Sequence, residues 1–366
     1  MIILNLIWKF STGGIGKCFQ VYDKMGEERD DIKVVSVCID PQNCQYDRTA
    51  LVEMGAEIIS IKNIFDLSWT WKMKRLIGQV APDVIFCHGF NGPVVVQTVL
   101  GLYNLHIPMV CSYHGLYHAP TKAKRWIAPF FNHVQTYLYK TKASKIILVE
   151  NYSKRYLLNA GVSKDKLYVV HNGIPDTGKS QKAVNLPEGA VSIGLSSRLD
   201  KVKGIEYAIQ AIPMIKKHAE KPFHFYILGD GPLEKKLKDM VTAMHLQDFV
   251  TMVGYAENVG EWMTSWDIFC LPSLFEYHSI ALLEAMRGGK AIVATNVGGN
   301  EESVTHGKEA IVVNPKDIEG LALALTRFIN DEQLRIEYGR NARKRYLEEF
   351  TESKMKEGLI NVFLKK

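Results

Sequence analysis

Two carboxylates eight positions apart, Glu276 and Glu284, make the most specific chemical pattern in this sequence. They sit in the stretch Ser273-Leu274-Phe275-Glu276-Tyr277-His278-Ser279-Ile280-Ala281-Leu282-Leu283-Glu284-Ala285-Met286. Residues 268–271 before it are a short apolar run of strand character, and residues 280–286 are apolar and helix-favouring. The segment therefore reads strand, loop, helix. Glu276 falls in the loop beyond the carboxyl end of the strand and Glu284 in the second turn of the helix, so a ligand at that helix N-terminus meets both. Open α/β sheets bind ligands at such places. Carboxylates are also common on solvated helix faces, so the weight of the pair depends on what the neighbouring loops supply.

Those loops supply cations, glycines and histidines. In Leu195-Ser196-Ser197-Arg198-Leu199-Asp200-Lys201-Val202-Lys203-Gly204, Arg198 and Lys203 lie on a loop entering a helix that starts near Gly204. A guanidinium and an ammonium converging there suit a diphosphate, whose charge they stabilise as it leaves. Lys201 fits a solvated loop better. The first apolar run leads into Ser11-Thr12-Gly13-Gly14-Ile15-Gly16-Lys17, where Gly13 and Gly14 let backbone amides approach a phosphate or sugar. Ser11 and Cys18 stand where a Walker loop needs Gly and Ser or Thr, and the spacing is not that of a dinucleotide fingerprint. His114, in Val110-Cys111-Ser112-Tyr113-His114-Gly115, follows a buried run at its carboxyl edge. His88, in Phe86-Cys87-His88-Gly89, has the same argument and ranks second. In Ile227-Leu228-Gly229-Asp230-Gly231-Pro232, Asp230 is placed to cap a helix with Pro232 at its first position. Gly298 and Gly299 lie in the next strand-to-helix turn after Glu276.

The elements that must position these residues alternate along the chain. With 366 residues, 47% of them hydrophobic and 23% charged, the sequence suits two domains of ordinary size. Apolar runs at residues 2–8, 33–38, 57–60, 83–87, 109–112 and 145–149 are separated by amphipathic stretches such as 69–80, the rhythm of a parallel βαβ sheet. After Pro175 the chain turns polar in Asp176-Thr177-Gly178-Lys179-Ser180-Gln181, a linker composition. A second alternation follows at 191–195, 223–228, 250–253, 268–271, 291–294 and 310–313. Residues 332–366 lack strand signals and carry helical periodicity. The expected fold class is α/β, two doubly wound Rossmann-like domains at 1–173 and 174–348, with 349–366 a terminal helix packing back on the first.

Taken together and in order, Gly13-Gly14, His114-Gly115, Asn172-Gly173, Arg198 with Lys203-Gly204, Gly229-Asp230-Gly231, the Glu276/Glu284 pair and Gly298-Gly299 resemble the GT-B glycosyltransferases of family 4. The resemblance spans nearly the whole chain, and its most specific parts are the glutamate pair and the Arg198…Lys203-Gly204 element. It implies two domains facing across a cleft, the first for the acceptor and the second for the donor. It also implies a retaining transferase that uses a nucleotide-activated sugar without a metal. Arg198 and Lys203 would hold the donor diphosphate, helped by backbone amides at Ser279 and Ile280. Glu284 would take the ribose hydroxyls, Glu276 would face the sugar near its anomeric carbon, and His114 would sit by sugar and acceptor. Gly13 and Gly14 would let their loop close over the phosphates, and Gly229 belongs to the donor-binding set. The chain departs from the pattern at Tyr277 and His278, where relatives carry glycine and then an aromatic or apolar residue, and at Lys17, where many carry arginine. No Asp-x-Asp pair flanked by apolar strand residues occurs, which fits fixed cations replacing a divalent ion.

The expected reaction is transfer of a hexose-type sugar to a hydroxyl of a glycan or lipid-linked acceptor, in cell-surface polysaccharide synthesis. A UDP-sugar is the first expectation for the donor and a GDP-sugar the second; no cofactor and no metal is expected. Rival readings are a nucleotide-sugar epimerase and a non-catalytic nucleotide-sugar-binding protein. The formal charge of +6 is unevenly spread, with no acidic residue between Asp83 and Glu150. Basic and apolar residues mix at 121–131 and again at 137–140, which makes an anionic membrane surface a candidate partner, although Pro129 interrupts a continuous helix there. No nucleic acid is expected, because charge alone supports it. Residues 2–8 are too short for a membrane span and have no basic flank, so the location expected is the cytoplasm, at the inner face of the membrane. The six cysteines show neither CxxC spacing nor pairing with histidines and should be reduced and buried.

Overall fold

The computed structural model describes residues 1–10, 14–27, 29–41, 49–61, 66–115, 128–177 and 184–365. Its chain divides into two compact units, one of Met1–Gly173 with Glu352–Lys366 and one of Ile174–Thr351. The segment that joins the first unit thus begins at Glu352 rather than at residue 349, because Phe350 is wholly buried in the core of the second unit.

The first unit runs β1 (Ile2–Trp8), α1 (Gly14–Asp23), β2 (Lys33–Pro41), α2 (Thr49–Glu53), β3 (Glu57–Ile61), α3 (Ser68–Val80), β4 (Val84–His88), α4 (Asn91–Leu102), β5 (Met109–Tyr113), α5 (Ala128–Thr141), β6 (Ala143–Leu148), α6 (Tyr152–Asn159) and β7 (Leu167–Val169). Its described strands form one parallel sheet of order β3-β2-β1-β4-β5-β6-β7. Such strands are covered on both faces and read as continuous apolar runs; β4 and β5 are buried at every residue. Right-handed crossovers put α1 and α2 on one face and α3, α4, α5 and α6 on the other. Pro129 is the second residue of α5. In a first turn its missing N–H costs nothing, so the described helix is not interrupted there.

The second unit runs β8 (Val191–Ser196), α7 (Ile205–His218), β9 (Phe223–Leu228), α8 (Glu234–Ala243), β10 (Val250–Gly254), α9 (Val259–Ser265), β11 (Ile268–Leu271), α10 (Ile280–Arg287), β12 (Ala291–Thr295), α11 (Asn300–Ser303), β13 (Ala310–Val313), α12 (Ile318–Asn330) and α13 (Glu332–Glu349). Its described strands form a parallel sheet of order β10-β9-β8-β11-β12-β13. Side chains alternate between its faces as strand geometry demands. Ile193, Phe225, Ile268 and Val293 join one core with α7 and α12, whereas Tyr226, Phe269 and Ile292 join another with α10 and α13. Gly194 faces the second core, where a Cβ would stand 1.7 Å from the Trp266 ring; that indole takes the space a side chain would need. The last helix, α14 (Glu352–Leu364), belongs to the first unit and lies beside α1, with Phe363 edge-on to Phe86 at 5.2 Å.

Both sheets and their strand character agree with the sequence reading. The three-residue edge strand β7 was not anticipated, since so short a run between turns carries no periodicity.

Candidate active site

At the carboxyl end of the second sheet, four strand-to-helix loops are stitched to one another through their backbones. After β8 the chain makes a short 3₁₀ turn at Lys201–Lys203, capped by the Asp200 carboxylate on the Val202 N–H at 3.0 Å. Gly204 then takes a left-handed conformation (φ 60°) and starts α7; a Cβ there would stand 2.1 Å from the Pro272 carbonyl. Leu274 N donates to Val202 O at 2.7 Å and Leu199 N to Asp230 O at 2.7 Å. Gly298 has φ 50° and brings its backbone so near Glu276 that a Cβ would lie 1.8 Å from that residue's carbonyl oxygen. Only glycine permits both the dihedral and the approach.

This frame brings Lys203 and Glu276 together. The Lys203 ammonium donates to both Glu276 carboxylate oxygens, at 2.8 and 3.0 Å, and Ser273 Oγ donates to Oε1 at 2.7 Å. Glu276 and Ser273 are buried, and Lys203 keeps about a quarter of its side chain exposed. The two residues expected to serve phosphate and sugar separately are thus one charged unit. Ser273 is held in turn by Thr295, whose hydroxyl donates to its carbonyl at 2.5 Å. Sequence reasoning passed over Ser273; its place two residues beyond β11, ahead of the first glutamate, was the available signal.

The remaining residues of this half occupy distinct places. Ser279 caps α10, its Oγ accepting from Leu282 N at 3.4 Å, so Ile280 is the first helical residue. Glu284 is in the second turn of α10 and buried. Arg198 stands out on its loop with 72% of its side chain exposed, 3.9 Å from Asp200. Gly229 (φ 125°) packs against the Ser197 carbonyl, 1.9 Å from where a Cβ would be. Asp230 does not cap a helix. With Gly229 and Gly231 both at positive φ, the loop is pinned to Leu199 before α8 begins at Glu234, beyond Pro232. His278 turns inward, its Nε2 3.3 Å from Ser303 Oγ and its ring 5.5 Å from Phe350, while Tyr277 lies half-buried against the Phe275 edge at 4.7 Å. Of the two departures from the family pattern, the histidine is therefore a core residue.

The first unit holds its candidates differently. Gly14 opens α1 and is exposed, while Gly13 lies outside the described residues. His114 follows β5, half-buried, its Nε2 2.7 Å from Ser112 Oγ. Burial lowers its imidazole from 6.5 to about 4, so at neutral pH it is an uncharged hydrogen-bonding group. His88 ends β4 inside the core, stacked on Tyr22 at 4.7 Å and edge-on to Phe86 at 4.2 Å. Its Nε2 meets Asn5 Oδ1 at 2.6 Å; the Asn5 amide donates to Ser36 Oγ, and Ser36 Oγ to Asp23 Oδ1. Asn5 thus offers an acceptor, His88 carries its proton on Nε2, and its Nδ1 has no hydrogen-bond partner. Burial, with His114 nearby, holds His88 well below 6.5. His88 is a neutral structural residue and His114 the accessible one. The stretch 121–127 lies outside the described residues, and five of the cysteines, Cys18, Cys38, Cys87, Cys111 and Cys270, are buried and free.

Two parallel α/β units, the second with a part-buried ion pair at its loop-lined sheet edge, are the architecture of the GT-B class. Residues 176–345 match the family model of glycosyl transferases group 1, and residues 26–177 that of glycosyltransferase family 4. Between them the models take in nearly the whole chain, and it belongs to the family 4 glycosyltransferases. An uncharacterised glycosyltransferase of Methanocaldococcus jannaschii is 26% identical over 80% of this chain and 77% of its own. A Salmonella typhimurium protein named for colanic acid biosynthesis is 30% identical, and there the match takes in 47% of this chain and 44% of the relative. The chain thus spans less than half the length of that relative. Among solved structures, Anabaena HepE in complex with UDP superposes with a TM-score of 0.81 over 99% of both chains at 19% identity, and the same protein was solved with UDP-glucose.

Proposed function

We propose that this glycosyltransferase moves a hexose-type sugar from a nucleotide-sugar donor to a hydroxyl of a glycan or lipid-linked acceptor, retaining the anomeric configuration, in the synthesis of cell-surface polysaccharide. The observation that carries this reading is the Lys203–Glu276 pair beside the capped N-terminus of α10. An ammonium has three protons; two point at Glu276, leaving one for a phosphate oxygen. Lys203 then neutralises charge on the leaving diphosphate while Glu276, oriented by Lys203 and Ser273, presents a fixed negative edge to the sugar. Arg198 has the exposure and reach to fold onto the same phosphates, and the free amides at Ser279 and Ile280 favour anions there. Glu284 takes the ribose hydroxyls. Cations fixed in this way supply the stabilisation a divalent ion gives elsewhere.

In this scheme the acceptor hydroxyl attacks from the face the diphosphate leaves, and its proton passes to the departing phosphate oxygen. His114, neutral at pH 7, serves hydroxyl groups as a hydrogen-bonding partner. The UDP and UDP-glucose held by HepE favour a UDP-sugar over a GDP-sugar, and the colanic acid relative favours a polysaccharide acceptor.

A panel of UDP-, GDP- and ADP-sugars incubated with the protein tests the reading. Slow release of UDP from one UDP-sugar, with the α-configured product by NMR, is expected. Isomerised donor sugar without acceptor would instead identify an epimerase, and donor binding without any hydrolysis a sensor.

A further inference from the structure

The polar side chains behind His114 form a chain in which each hydroxyl or thiol has one proton to give. His114 Nε2 lies 2.7 Å from Ser112 Oγ, and Ser112 Oγ lies 3.4 Å from the Tyr22 hydroxyl. Tyr22 hydrogen-bonds in turn with Cys18, one turn back along α1. The Cys18 thiol donates to Asn172 Oδ1, 3.2 Å away in the segment after β7. Cys18, Tyr22, Ser112 and Asn172 are all buried, so each proton is spent inside the chain. Its polarity then follows from the far end. An amide oxygen only accepts, so the thiol proton goes to Asn172 and the sulfur accepts from Tyr22. With the phenol proton on sulfur, the Tyr22 oxygen accepts from Ser112. With the serine proton spent as well, Ser112 Oγ accepts from His114. The opposite polarity would aim the Tyr22 lone pairs at a sulfur whose proton is already committed. His114 itself is half-buried, and its one hydrogen bond among the described residues is on Nε2.

We propose that Ser112, Tyr22 and Cys18 are positioning residues that hold His114 as the tautomer protonated on Nε2, so that its Nδ1 lone pair accepts a hydrogen bond from a substrate hydroxyl. The inference rests on the reading that His114 serves hydroxyl groups, and it narrows that reading. A neutral imidazole free to exchange tautomers serves donors and acceptors alike. The buried chain removes that freedom, because the other tautomer would set the bare Nε2 against an oxygen whose proton points away. A substrate group with a proton to give is then taken, while a fluorine in its place leaves Nδ1 unpaired. Burial keeps the ring neutral at pH 7, so the tautomer rather than a charge is what the substrate meets. His88 stays outside the chain, since its own Nε2 proton goes to Asn5.

Nitrogen-15 NMR of the full chain labelled at histidine, without substrate at pH 7, tests the inference; the His114 signals are those missing from His114→Ala. A protonated Nε2 and a bare Nδ1 are expected. Tyr22→Phe keeps a ring stacked on His88 but deletes the hydroxyl, which frees the Ser112 proton for Nε2. The excess of the Nε2–H tautomer should then fall by roughly fivefold, the weight of one neutral hydrogen bond. Cys18→Ala should lower it too, whereas Cys18→Ser, which still gives one proton and receives another, should hold the wild-type ratio. An Nδ1–H tautomer in the wild-type protein, or a ratio unmoved by both Tyr22→Phe and Cys18→Ala, overturns the inference. The link to substrate is read separately, from kcat/KM with the preferred donor and with analogues carrying fluorine in place of each sugar hydroxyl in turn, and likewise for the acceptor. At one position the wild-type preference for hydroxyl should narrow by roughly fivefold in Tyr22→Phe. Preference unchanged at every position, with the tautomer as expected, would sink the hydroxyl reading of His114 and leave the proton chain standing.

Discussion

The loop edges of the two sheets handle polar groups in opposite ways. In the first unit the chain Asp23, Ser36, Asn5 and His88 runs into the core beside His114, and both imidazoles are held neutral by burial. In the second unit the central group is a charge pair, Lys203 on Glu276, part-buried at a backbone frame that glycines allow to close. A neutral edge suits hydroxyl recognition, where hydrogen-bond geometry decides. A charged edge suits a diphosphate, where the field decides. Under the function proposed above, acceptor chemistry falls to the neutral edge and donor chemistry to the charged one.

The largest expected effect breaks the charged edge. Lys203→Ala removes the cation from the phosphates and leaves the Glu276 carboxylate with Ser273 as its hydrogen-bond donor. Loss of one such charge-stabilising contact costs on the order of 3 kcal/mol, about a hundredfold in kcat. His114→Ala, which removes a neutral hydrogen bond, should cost about 1 kcal/mol, roughly a factor of five. Steady-state rates with the preferred donor read both. Equal losses in the two variants would erase the contrast between the edges, and near-wild-type activity in Lys203→Ala would remove the diphosphate assignment.

Much of this site was legible without coordinates. The apolar runs gave both sheets because parallel strands are covered on both faces, and the placement of Glu276 in a loop and Glu284 in the second turn of a helix followed from local pattern alone. The pairing of Lys203 with Glu276 did not, since they are 73 positions apart and meet only because β11 lies beside β8. Strand order is a tertiary fact that periodicity does not encode. The same limit applies to His88 and His114, which follow similar runs; neighbouring aromatic rings enclose the first and leave the second half-open. Asp230 failed as a predicted cap for a local reason, because two positive-φ glycines around it postpone the helix.

The two edges should also separate on acidification. For His88 and His114 the unfolded chain takes up protons near pH 6.5, before the folded imidazoles do. Unfolding free energy therefore rises with pH through this window, and the first unit loses stability as pH falls from 6.5 toward about 4. For a fully screened-off ring the His114 shift corresponds to about 3 kcal/mol, and less for a half-buried one. Asp23, raised above 3.8 by burial, works in the opposite sense. In the second unit, burial raises the Glu309 carboxyl, but the Thr305 N–H and Arg345 outweigh it and leave it below 4.5. Its contribution is present above 4.5 and lost as pH falls below. Burial lowers the partly buried His224 of β9 as well, so hydrogen exchange between pH 7 and pH 5 should show protection falling in β1, β4 and β5 first and less at β9, with β11 and β12 retaining theirs. The reverse order would mean the histidines are not the acid-sensitive groups.

A smaller effect than that of Lys203→Ala sharpens what Glu276 does. Ser273→Ala leaves the Lys203 ammonium on both carboxylate oxygens and deletes only the hydroxyl on Oε1. A hydrogen bond to a charged group contributes about 1.5 kcal/mol, roughly a tenfold change if all of it acts in the transition state. Because Lys203 still holds its place, donor affinity should stay near wild type and the loss should fall on kcat. An increase in donor KM at constant kcat would show instead that Ser273 supports the loop rather than the carboxylate. The two cases differ physically in when the hydroxyl matters: a carboxylate aimed at the sugar needs its orientation most as positive charge grows at the anomeric carbon, whereas a loop anchor matters equally before and during the reaction.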